Sequence, residues 1–296
     1  MKIEKMLIMC FFISTCTLQA QEVVNLYSGT IPNSKENNVE ETFNSGMYRG
    51  VTVPALQIFL PEKGTETGVA VIICPGGGYS VIVHQGEGVS TAKEFARKGI
   101  TAFVLKYRLP DPNVLNDRSI GPLQDAQQAI KLVRENASQW GIDPTKIGIM
   151  GFSAGGHLAS TAATHFETSL IENSNQTSLR PDFQILVYPV ISMQDNLTHG
   201  DSRRQLLGDN PPKQLMDRFS NELQITEKTP PAYLTHATDD ILVDVDNSIK
   251  YYDALRKHKV PVAMHIYQKG GHGFIFGRPE WTFPLFQWMK ENNLIK

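Results

Sequence analysis

The alternation of apolar runs with amphipathic segments constrains the fold of this chain most, and it continues from residue 51 to the C-terminus. Residues 68–74 form a continuous run of mostly β-branched side chains, typical of a strand buried on both faces. In residues 123–140, apolar side chains recur at the spacing of a helix that buries one face. This alternation requires a mostly parallel sheet with helices on both faces, which is an α/β fold. We expect strands at 51–60, 68–74, 100–107, 146–150, 183–190, 232–235 and 262–267, and helices at 90–98, 123–140, 153–165, 246–258 and 281–292.

The N-terminal residues differ from the rest of the chain. Residues 1–20 join two lysines to an apolar run that is too short to span a bilayer, and end at the small residue Ala20. This pattern predicts a signal peptide cleaved near Ala20, and hence a periplasmic or secreted protein. The residues before Cys16 make a poor lipobox, so we favour this cleavage over a lipoprotein. Only Cys74 would remain, and one cysteine forms no intrachain disulfide.

The mature chain is predicted to contain one domain. Residues 21–48 are polar and predict an irregular arm, and residues 49–296 predict a single α/β domain without an internal linker. Within it, the long polar segment of about 192–230 is predicted to be a lid-like insertion. Pro54 favours an edge position for the first strand, because proline cannot donate to a strand ladder.

The net charge of the chain argues against a nucleic-acid partner. The formal net charge is −2 at pH 7. A nucleic-acid-binding protein would show a basic excess to neutralise phosphates, so we expect no nucleic-acid partner. After cleavage of the signal peptide we expect no membrane span.

The first chemical motif is Gly-Phe-Ser-Ala-Gly-Gly at 151–156, which lies between a predicted strand and a predicted helix. A G-x-S-x-G sequence in that context predicts a nucleophile elbow, where a sharp turn exposes a serine. The turn strains the serine backbone, and glycines leave room for the neighbouring strand and helix. Ser153 is therefore the predicted nucleophile.

The second motif is the glycine-rich loop at 75–78, directly after the strand that ends at Cys74. Acyl transfer forms a tetrahedral oxyanion that backbone N–H groups must stabilise. We predict an oxyanion hole from Gly77, Gly78 and Ala154, and the choice between the glycines stays open. A phosphate-binding loop is not favoured, because neither dinucleotide-binding nor P-loop motifs are present.

The third and fourth motifs supply a carboxylate and an imidazole, each just after a predicted strand. A serine nucleophile needs a histidine to take its proton and a carboxylate to fix the imidazole tautomer. His272 has glycines on both sides, which let its ring project into a cleft, and the other seven histidines lack this setting. Asp240 is favoured over Asp239 because it stands three residues before Val243, whereas Asp239 is expected to cap the following turn. The chain order Ser, Asp, His is the one that α/β hydrolases use.

With these motifs in view, the chain resembles the α/β-hydrolase superfamily, and within it the acetyl xylan esterase and feruloyl esterase-like group of BD-FAE type, related to the hormone-sensitive-lipase-like esterases. The resemblance covers residues from about 50 to the C-terminus. It implies Ser153, Asp240 and His272 as the triad, an oxyanion hole at the glycine loop, and short acyl esters of plant polysaccharides as substrates. The matching stretches are CPGGGY (74–79), EG (87–88), KYRL (106–109), WGIDP (140–144), GFSAGGHLA (151–159), TPPA (229–232), DD (239–240) and KGGHGF (269–274).

The leading hypothesis is an ester hydrolase that deacetylates xylan or xylo-oligosaccharides and needs no metal or cofactor. No H-E-x-x-H motif or cysteine cluster indicates a metal site. Tyr79, which follows the glycine loop, is predicted to line the acyl pocket. The alternatives are a feruloyl or general short-chain carboxylesterase, a prolyl-oligopeptidase-type peptidase, and a non-catalytic binding protein. The residue pattern leaves the oligomeric state and the acyl position undecided.

Overall fold

The computed structural model describes residues 22–296, and the predicted signal peptide and Cys16 lie outside them. Eight strands form one sheet in the order β1-β4-β6-β5-β7-β8-β9-β10, and two further strands form a hairpin. The sheet strands are Val23–Asn25 (β1), Ala55–Phe59 (β4), Ala70–Cys74 (β5), Thr101–Lys106 (β6), Ile147–Phe152 (β7), Phe183–Val187 (β8), Ala232–Ala237 (β9) and Val262–Tyr267 (β10), and the hairpin strands are Thr42–Asn44 (β2) and Met47–Arg49 (β3).

The sheet is mostly parallel, which confirms the predicted fold class. Strands β5 to β10 pair in parallel with one another, and only the pairs β1–β4 and β4–β6 are antiparallel, so β4 alone runs opposite to the other strands. The described part of the chain contains seven α-helices, which lie between or after the strands: Ser90–Arg97 (α1), Gly121–Glu135 (α2), Ser153–Thr164 (α3), Gly200–Leu207 (α4), Lys213–Phe219 (α5), Asp246–Lys257 (α6) and Thr282–Glu291 (α7). All five predicted helices are present. The helix predicted at 123–140 ends at Glu135, and a separate 3₁₀ turn follows at Ala137–Trp140.

Strand β5 explains how the core is divided between the two faces of the sheet. All five of its side chains are fully buried. Ala70, Ile72 and Cys74 pack on the face that α2, α3 and α6 cover, whereas Val71 and Ile73 pack on the face that α1 and α7 cover. Each fully buried valine or isoleucine contributes about 1.5–3 kcal/mol of hydrophobic stabilisation. The apolar run therefore reflects burial on both sides, as predicted.

The N-terminal segment differs from the predicted irregular arm. Strand β1 lies within it and pairs antiparallel with β4, so β4 is an inner strand and its predicted edge position is wrong. Pro54 has no N–H to donate to a neighbouring strand, but its carbonyl accepts a hydrogen bond from the N–H of Leu26. The hairpin β2–β3 lies at the C-terminal end of this segment. Its residue Tyr48 forms a β-bridge with Ile82, which follows the glycine loop. The division into an arm and one domain stays a prediction.

The segment predicted as a lid contains two helices, α4 and α5, and is packed on the elbow helix α3. The carbonyl of Phe219 binds His157 Nε2 at 2.8 Å, and the side-chain amide of Asn221 donates to the carbonyl of His157 and to Ser160 Oγ. These contacts hold the C-terminal half of the segment against α3. In residues 22–296, no helix has both the length and the apolar character that a bilayer crossing requires.

A buried ion pair anchors the N-terminal segment to the sheet. Both Arg108 and Asp125 are fully buried, and the guanidinium donates to both carboxylate oxygens. Arg108 also donates to the carbonyl of Pro32 and to Ser34 Oγ, while the hydroxyl of Tyr27 donates to Asp125. The pair thus joins the segment, the end of β6 and helix α2.

Replacing Asp125 by alanine is expected to lower the free energy of unfolding by about 3–5 kcal/mol, because it leaves a buried guanidinium without its counter-charge. The matched control is Glu94→Ala, which breaks the exposed pair between Arg97 and Glu94 and should cost less than about 1 kcal/mol. Urea unfolding followed by circular dichroism measures both. Equal losses in the two variants would contradict an anchoring role for the buried pair.

Candidate active site

Ser153 occupies the sharp turn between β7 and α3. Its φ is +50°, in the left-handed region that residues other than glycine rarely adopt. The neighbouring glycines make this turn possible by close packing. A Cβ on Gly151 would lie 2.0 Å from the carbonyl oxygen of Gly155, and a Cβ on Gly155 would lie 2.1 Å from the carbonyl oxygen of Cys74. The turn has the geometry of a nucleophile elbow and sets Ser153 at the carboxyl end of the sheet.

His272 and Asp240 meet Ser153 at this edge. They follow β10 and β9, which are adjacent and parallel, so both loops emerge on the same side. His272 Nδ1 is 2.7 Å from Asp240 Oδ2, and Nε2 is 2.9 Å from Ser153 Oγ. Because a carboxylate only accepts, Nδ1 carries the proton and Nε2 accepts from the serine hydroxyl. The structure therefore brings the three predicted triad residues into one hydrogen-bonded chain.

Asp240 is held as a carboxylate by four donors. Oδ1 accepts the N–H groups of Leu242 and Val243, and Oδ2 accepts from His272 and from His236 Nε2 at 3.1 Å. Burial alone would raise the pKa of Asp240, but the hydrogen bonds from the two histidines and from Val243 outweigh it and hold the pKa below its ordinary value. The predicted spacing of three residues to Val243 thus corresponds to a turn that orients the carboxylate.

Asp239 does not make the contact predicted for it, which was to cap the turn that follows. It is exposed, and its Oδ1 accepts the N–H of Gly271 at 2.8 Å. Asp239 therefore binds the loop that carries His272 rather than the turn that follows it. The two neighbouring carboxylates hold the same loop in different ways, one through the imidazole and one through the backbone.

The glycine loop lies directly against the nucleophile. A Cβ on Gly76 would come within 2.9 Å of Ser153 Cβ. The hydroxyl of Tyr107 donates to the carbonyl of Pro75, and the carbonyl of Gly76 accepts from the N–H of Val83. By contrast, no acceptor within the described residues receives a hydrogen bond from the N–H groups of three residues, namely Gly77, Gly78 and Ala154. These are the three groups predicted for the oxyanion hole.

Tyr79 is placed differently from the prediction. Its side chain is only 2% exposed, its hydroxyl lies 2.8 Å from His157 Nδ1, and its ring packs edge-on against Tyr107. The buried side chain ties the glycine loop to helix α3 and presents almost no surface to a ligand. The geometry therefore gives little support to a place in the acyl pocket.

Three further histidines lie around these residues. His157 and His236 are fully buried, and both rings are hydrogen-bonded within the fold. Burial lowers the pKa of His157 to about 4, which keeps its ring neutral. His199 is the N-cap of α4 and accepts the N–H of Ser202, and the charges of His272 and Asp240 act on its ring. Its position brings the lid segment beside the predicted triad.

Sequence reasoning missed the role of two residues, Glu87 and Tyr188. Glu87 is 5% exposed, and it accepts hydrogen bonds from the N–H of Gly76 at 2.6 Å and from the hydroxyl of Tyr188 at 2.9 Å. The ring of Tyr188 packs against His272, with 4.7 Å between the centroids. Burial raises the pKa of Glu87 to about 7 against these hydrogen bonds. The available signal was Glu87 itself, an acidic residue within a motif close to the glycine loop.

The arrangement has the parts that acyl transfer requires. A serine hydroxyl faces an imidazole that accepts its proton, a carboxylate fixes the imidazole, and unpaired N–H groups lie next to the serine. Residues 22–296 contain no group of three or more histidine, cysteine, aspartate or glutamate side chains arranged to hold a metal ion. Cys74 is buried, and burial raises the pKa of its thiol well above the ordinary value.

Comparison with known proteins assigns the chain to a family. The BD-FAE family model matches residues 56–255. An acetylxylan esterase of Xylanibacter ruminicola is 40% identical over 223 residues, which are 74% of this chain and 43% of that protein. Endo-1,4-beta-xylanase B of Butyrivibrio fibrisolvens is 38% identical over 231 residues, which are 77% of this chain and 36% of that protein. The chain thus spans less than half the length of each of these relatives.

A solved structure matches almost the whole chain. The acetyl ester-xyloside bifunctional hydrolase of Caldicellulosiruptor lactoaceticus is 34% identical, with a TM-score of 0.78 over 93% of this chain and 97% of that chain. The similarity therefore extends over nearly the full length of both chains.

Glu87→Gln is expected to gain stability relative to the wild type as the pH rises. Burial raises the pKa of Glu87 from 4.5 to about 7, so the folded protein holds this proton more tightly than the unfolded chain does. Ionisation of Glu87 consequently destabilises the wild type between these pH values, and glutamine does not ionise. The difference in the free energy of unfolding should move in favour of the variant by up to about 3 kcal/mol.

Urea unfolding at pH 4.5, 6 and 8 measures this difference. Glu62→Gln, at an exposed glutamate, is the control and should show the pH dependence of the wild type. A pH-independent difference between Glu87→Gln and the wild type would contradict the raised pKa.

Proposed function

The chain belongs to the BD-FAE family, and on this premise we propose that it is a serine carboxylic ester hydrolase that removes acetyl groups from xylan or a related plant polysaccharide. One observation carries the proposal: Ser153, His272 and Asp240 form a continuous hydrogen-bonded chain beside three unpaired backbone N–H groups. This combination of groups fits acyl transfer to serine better than it fits any other reaction.

In the proposed reaction, Ser153 Oγ attacks the acetyl carbonyl while His272 Nε2 takes the serine proton. Asp240 keeps the imidazole in the tautomer that accepts this proton and stabilises the imidazolium that forms. The N–H groups of Gly77, Gly78 and Ala154, next to the N-terminus of α3, stabilise the negative charge on the oxygen of the tetrahedral intermediate.

The remaining steps balance with water alone. The imidazolium then gives its proton to the departing sugar oxygen as the C–O bond breaks, which forms the free sugar hydroxyl and leaves Ser153 acetylated. Water then attacks the acetyl-enzyme with His272 as general base, and acetate leaves as the serine is restored. No step requires a metal ion or a cofactor.

The substrate class rests on the relatives. The acetylxylan esterase from Xylanibacter ruminicola and the acetyl ester-xyloside hydrolase from Caldicellulosiruptor lactoaceticus are named for acetyl esters and for xylan or xylosides. Export through the leader predicted at residues 1–20 fits such a substrate, because a polysaccharide remains outside the cell. The segment with helix α4 and His199 is the proposed lid over the sugar.

Ser153→Ala is expected to abolish acetate release from acetylated xylan, with kcat lower by at least about 10⁴-fold, because the triad residues act as a unit. A coupled acetate assay on the wild type and the variant measures this, with methyl ferulate and a proline anilide as parallel substrates. Both proteins should give the same circular dichroism spectrum, since alanine removes only one oxygen.

The parallel substrates separate the alternatives. Ser153-dependent cleavage of p-nitrophenyl acetate without acetate release from xylan would keep the mechanism and reject the polysaccharide. Preferred cleavage of the ferulate or of the anilide would indicate a feruloyl esterase or a peptidase. Activity that survives in Ser153→Ala would reject the serine mechanism.

Asp240→Asn is expected to lower kcat on p-nitrophenyl acetate by about 10³–10⁴-fold, because an asparagine amide no longer fixes the imidazole tautomer. The neighbouring residue gives a matched control: Asp239→Asn changes a carboxylate that contacts only the backbone of the histidine loop, and should lower kcat by less than about tenfold. The pair distinguishes the two carboxylates by steady-state kinetics. A larger loss in Asp239→Asn would assign the triad carboxylate to Asp239.

A further inference from the structure

Glu87 is a buried carboxyl group that the triad mechanism leaves unused. It lies in a π-helical turn, His84–Val89, that follows the glycine loop. Its two oxygens have different partners: Oε2 accepts the N–H of Gly76 and Oε1 accepts the hydroxyl of Tyr188. A carboxyl group with so few donors and almost no exposure destabilises the fold when it ionises, so its presence at this position calls for a functional explanation.

On one side, Glu87 controls the glycine loop. Its bond to the Gly76 N–H and the bond from the Val83 N–H to the Gly76 carbonyl fix both backbone groups of the residue that packs on Ser153. The next N–H groups in the loop, those of Gly77 and Gly78, are left unpaired. Glu87 therefore engages the Gly76 donor, so that the donors left without a partner in the described residues are those of Gly77 and Gly78, and it holds Gly76 against the nucleophile.

On the other side, Glu87 controls the surroundings of the base. Tyr188 has a φ of +36°, a strained conformation for a tyrosine, and its N–H donates to the carbonyl of Thr235 while its hydroxyl donates to Glu87. Held at both ends, the ring lies against the imidazole of His272. A tyrosine face in this position attracts an imidazolium cation more than a neutral imidazole.

We propose that Glu87 is a positioning residue that, through Gly76 and Tyr188, holds the oxyanion loop and the general base in one fixed arrangement. The proposal rests on the serine esterase mechanism proposed above. In the tetrahedral transition state, negative charge develops at the loop while positive charge develops on His272. One carboxyl group bonded to both sides keeps the two charge-stabilising elements in register before reaction, so no reorganisation is needed when the charges form.

The proposal predicts which kinetic constant changes. The contacts of Glu87 are to groups that act on the transition state, so its loss should lower kcat and leave KM nearly unchanged. A role in folding alone would lower stability without this selective loss. A transition-state analogue should report the same difference, because a boronic acid that adds to Ser153 forms a tetrahedral anion at the oxyanion hole.

The test uses the full chain with Glu87→Ala, Glu87→Gln and Tyr188→Phe. Glutamine can still accept the Gly76 N–H and place a polar group beside Tyr188, so it should recover part of the loss in Glu87→Ala. Tyr251→Phe is the matched control, because it removes another buried tyrosine hydroxyl, bonded to Gln184, from helix α6. Steady-state kinetics on p-nitrophenyl acetate, inhibition by methylboronic acid and thermal unfolding are measured for each protein.

We expect kcat to fall about 10–100-fold in Tyr188→Phe and further in Glu87→Ala, with KM within about threefold of the wild type. The inhibition constant of methylboronic acid should rise in parallel with the loss in kcat. Tyr251→Phe should lose comparable stability and change kcat by less than about twofold. The double variant Glu87→Ala/Tyr188→Phe should lose no more than Glu87→Ala alone, because the two residues act through one bond.

Two outcomes would overturn the proposal. One is a kcat within about twofold of the wild type in a folded Glu87→Ala or Tyr188→Phe. The other is a kcat loss with an unchanged inhibition constant for methylboronic acid. Ser153→Ala and acetylated xylan in the same assays keep the proposals apart: lack of Ser153-dependent cleavage rejects the mechanism itself, whereas cleavage of the small ester without xylan rejects only the polysaccharide.

Discussion

The left-handed backbone of Ser153 is the constraint on which the site depends. A serine at φ +50° is strained, and the surrounding structure must enforce that conformation. Here the elbow packs so closely on the end of β5 that the carbonyl oxygens of Cys74 and Pro75 occupy the space of any side chain at position 155. The same contact brings the glycine loop against the nucleophile. Strain at one residue and the approach of two backbone segments therefore have a single cause, the absence of side chains where β7 passes into α3.

The order of the parallel strands supplies the rest of the geometry. Neighbouring parallel strands end at the same edge, so the loops after β5 and β7 lie side by side, and so do the loops after β9 and β10. The first pair of loops provides the serine and the N–H donors, and the second pair provides the carboxylate and the imidazole. Residues 119 positions apart in the chain, Ser153 and His272, consequently meet at hydrogen-bond distance. The fold contributes position, and a few side chains contribute chemistry.

Sequence reasoning succeeded where a local pattern has one physical solution. An apolar run with β-branched residues predicted β5, and an elbow motif between strand and helix predicted the sharp turn at Ser153. It failed where the outcome depends on distant partners. Strand β1 has three residues and exists because β4 offers it an edge, so no periodicity reveals it. Pro54 suggested an edge strand because proline has no N–H to donate. Its carbonyl still accepts a hydrogen bond from the N–H of Leu26, the residue that follows β1. The observed contacts of Tyr79 and Asp239 also differ from the predicted ones. Their positions beside a motif indicated which loop they lie near, but burial and hydrogen bonds determine which groups they contact.

Two buried carboxyl groups near His272 differ in the number of hydrogen-bond donors they receive, and this difference sets their pKa values in opposite directions. Asp240 receives four donors, and these outweigh burial, so its pKa is lowered and it stays ionised. Glu87 receives two, and burial outweighs them, so its pKa rises to about 7. A carboxylate that must hold its charge through the reaction needs a full set of donors, which Asp240 has. A carboxyl group that serves to fix its neighbours needs only directed bonds, and Glu87 has one to each side of the nucleophile. The number of donors thus separates the group proposed to act electrostatically from the group proposed to act through geometry.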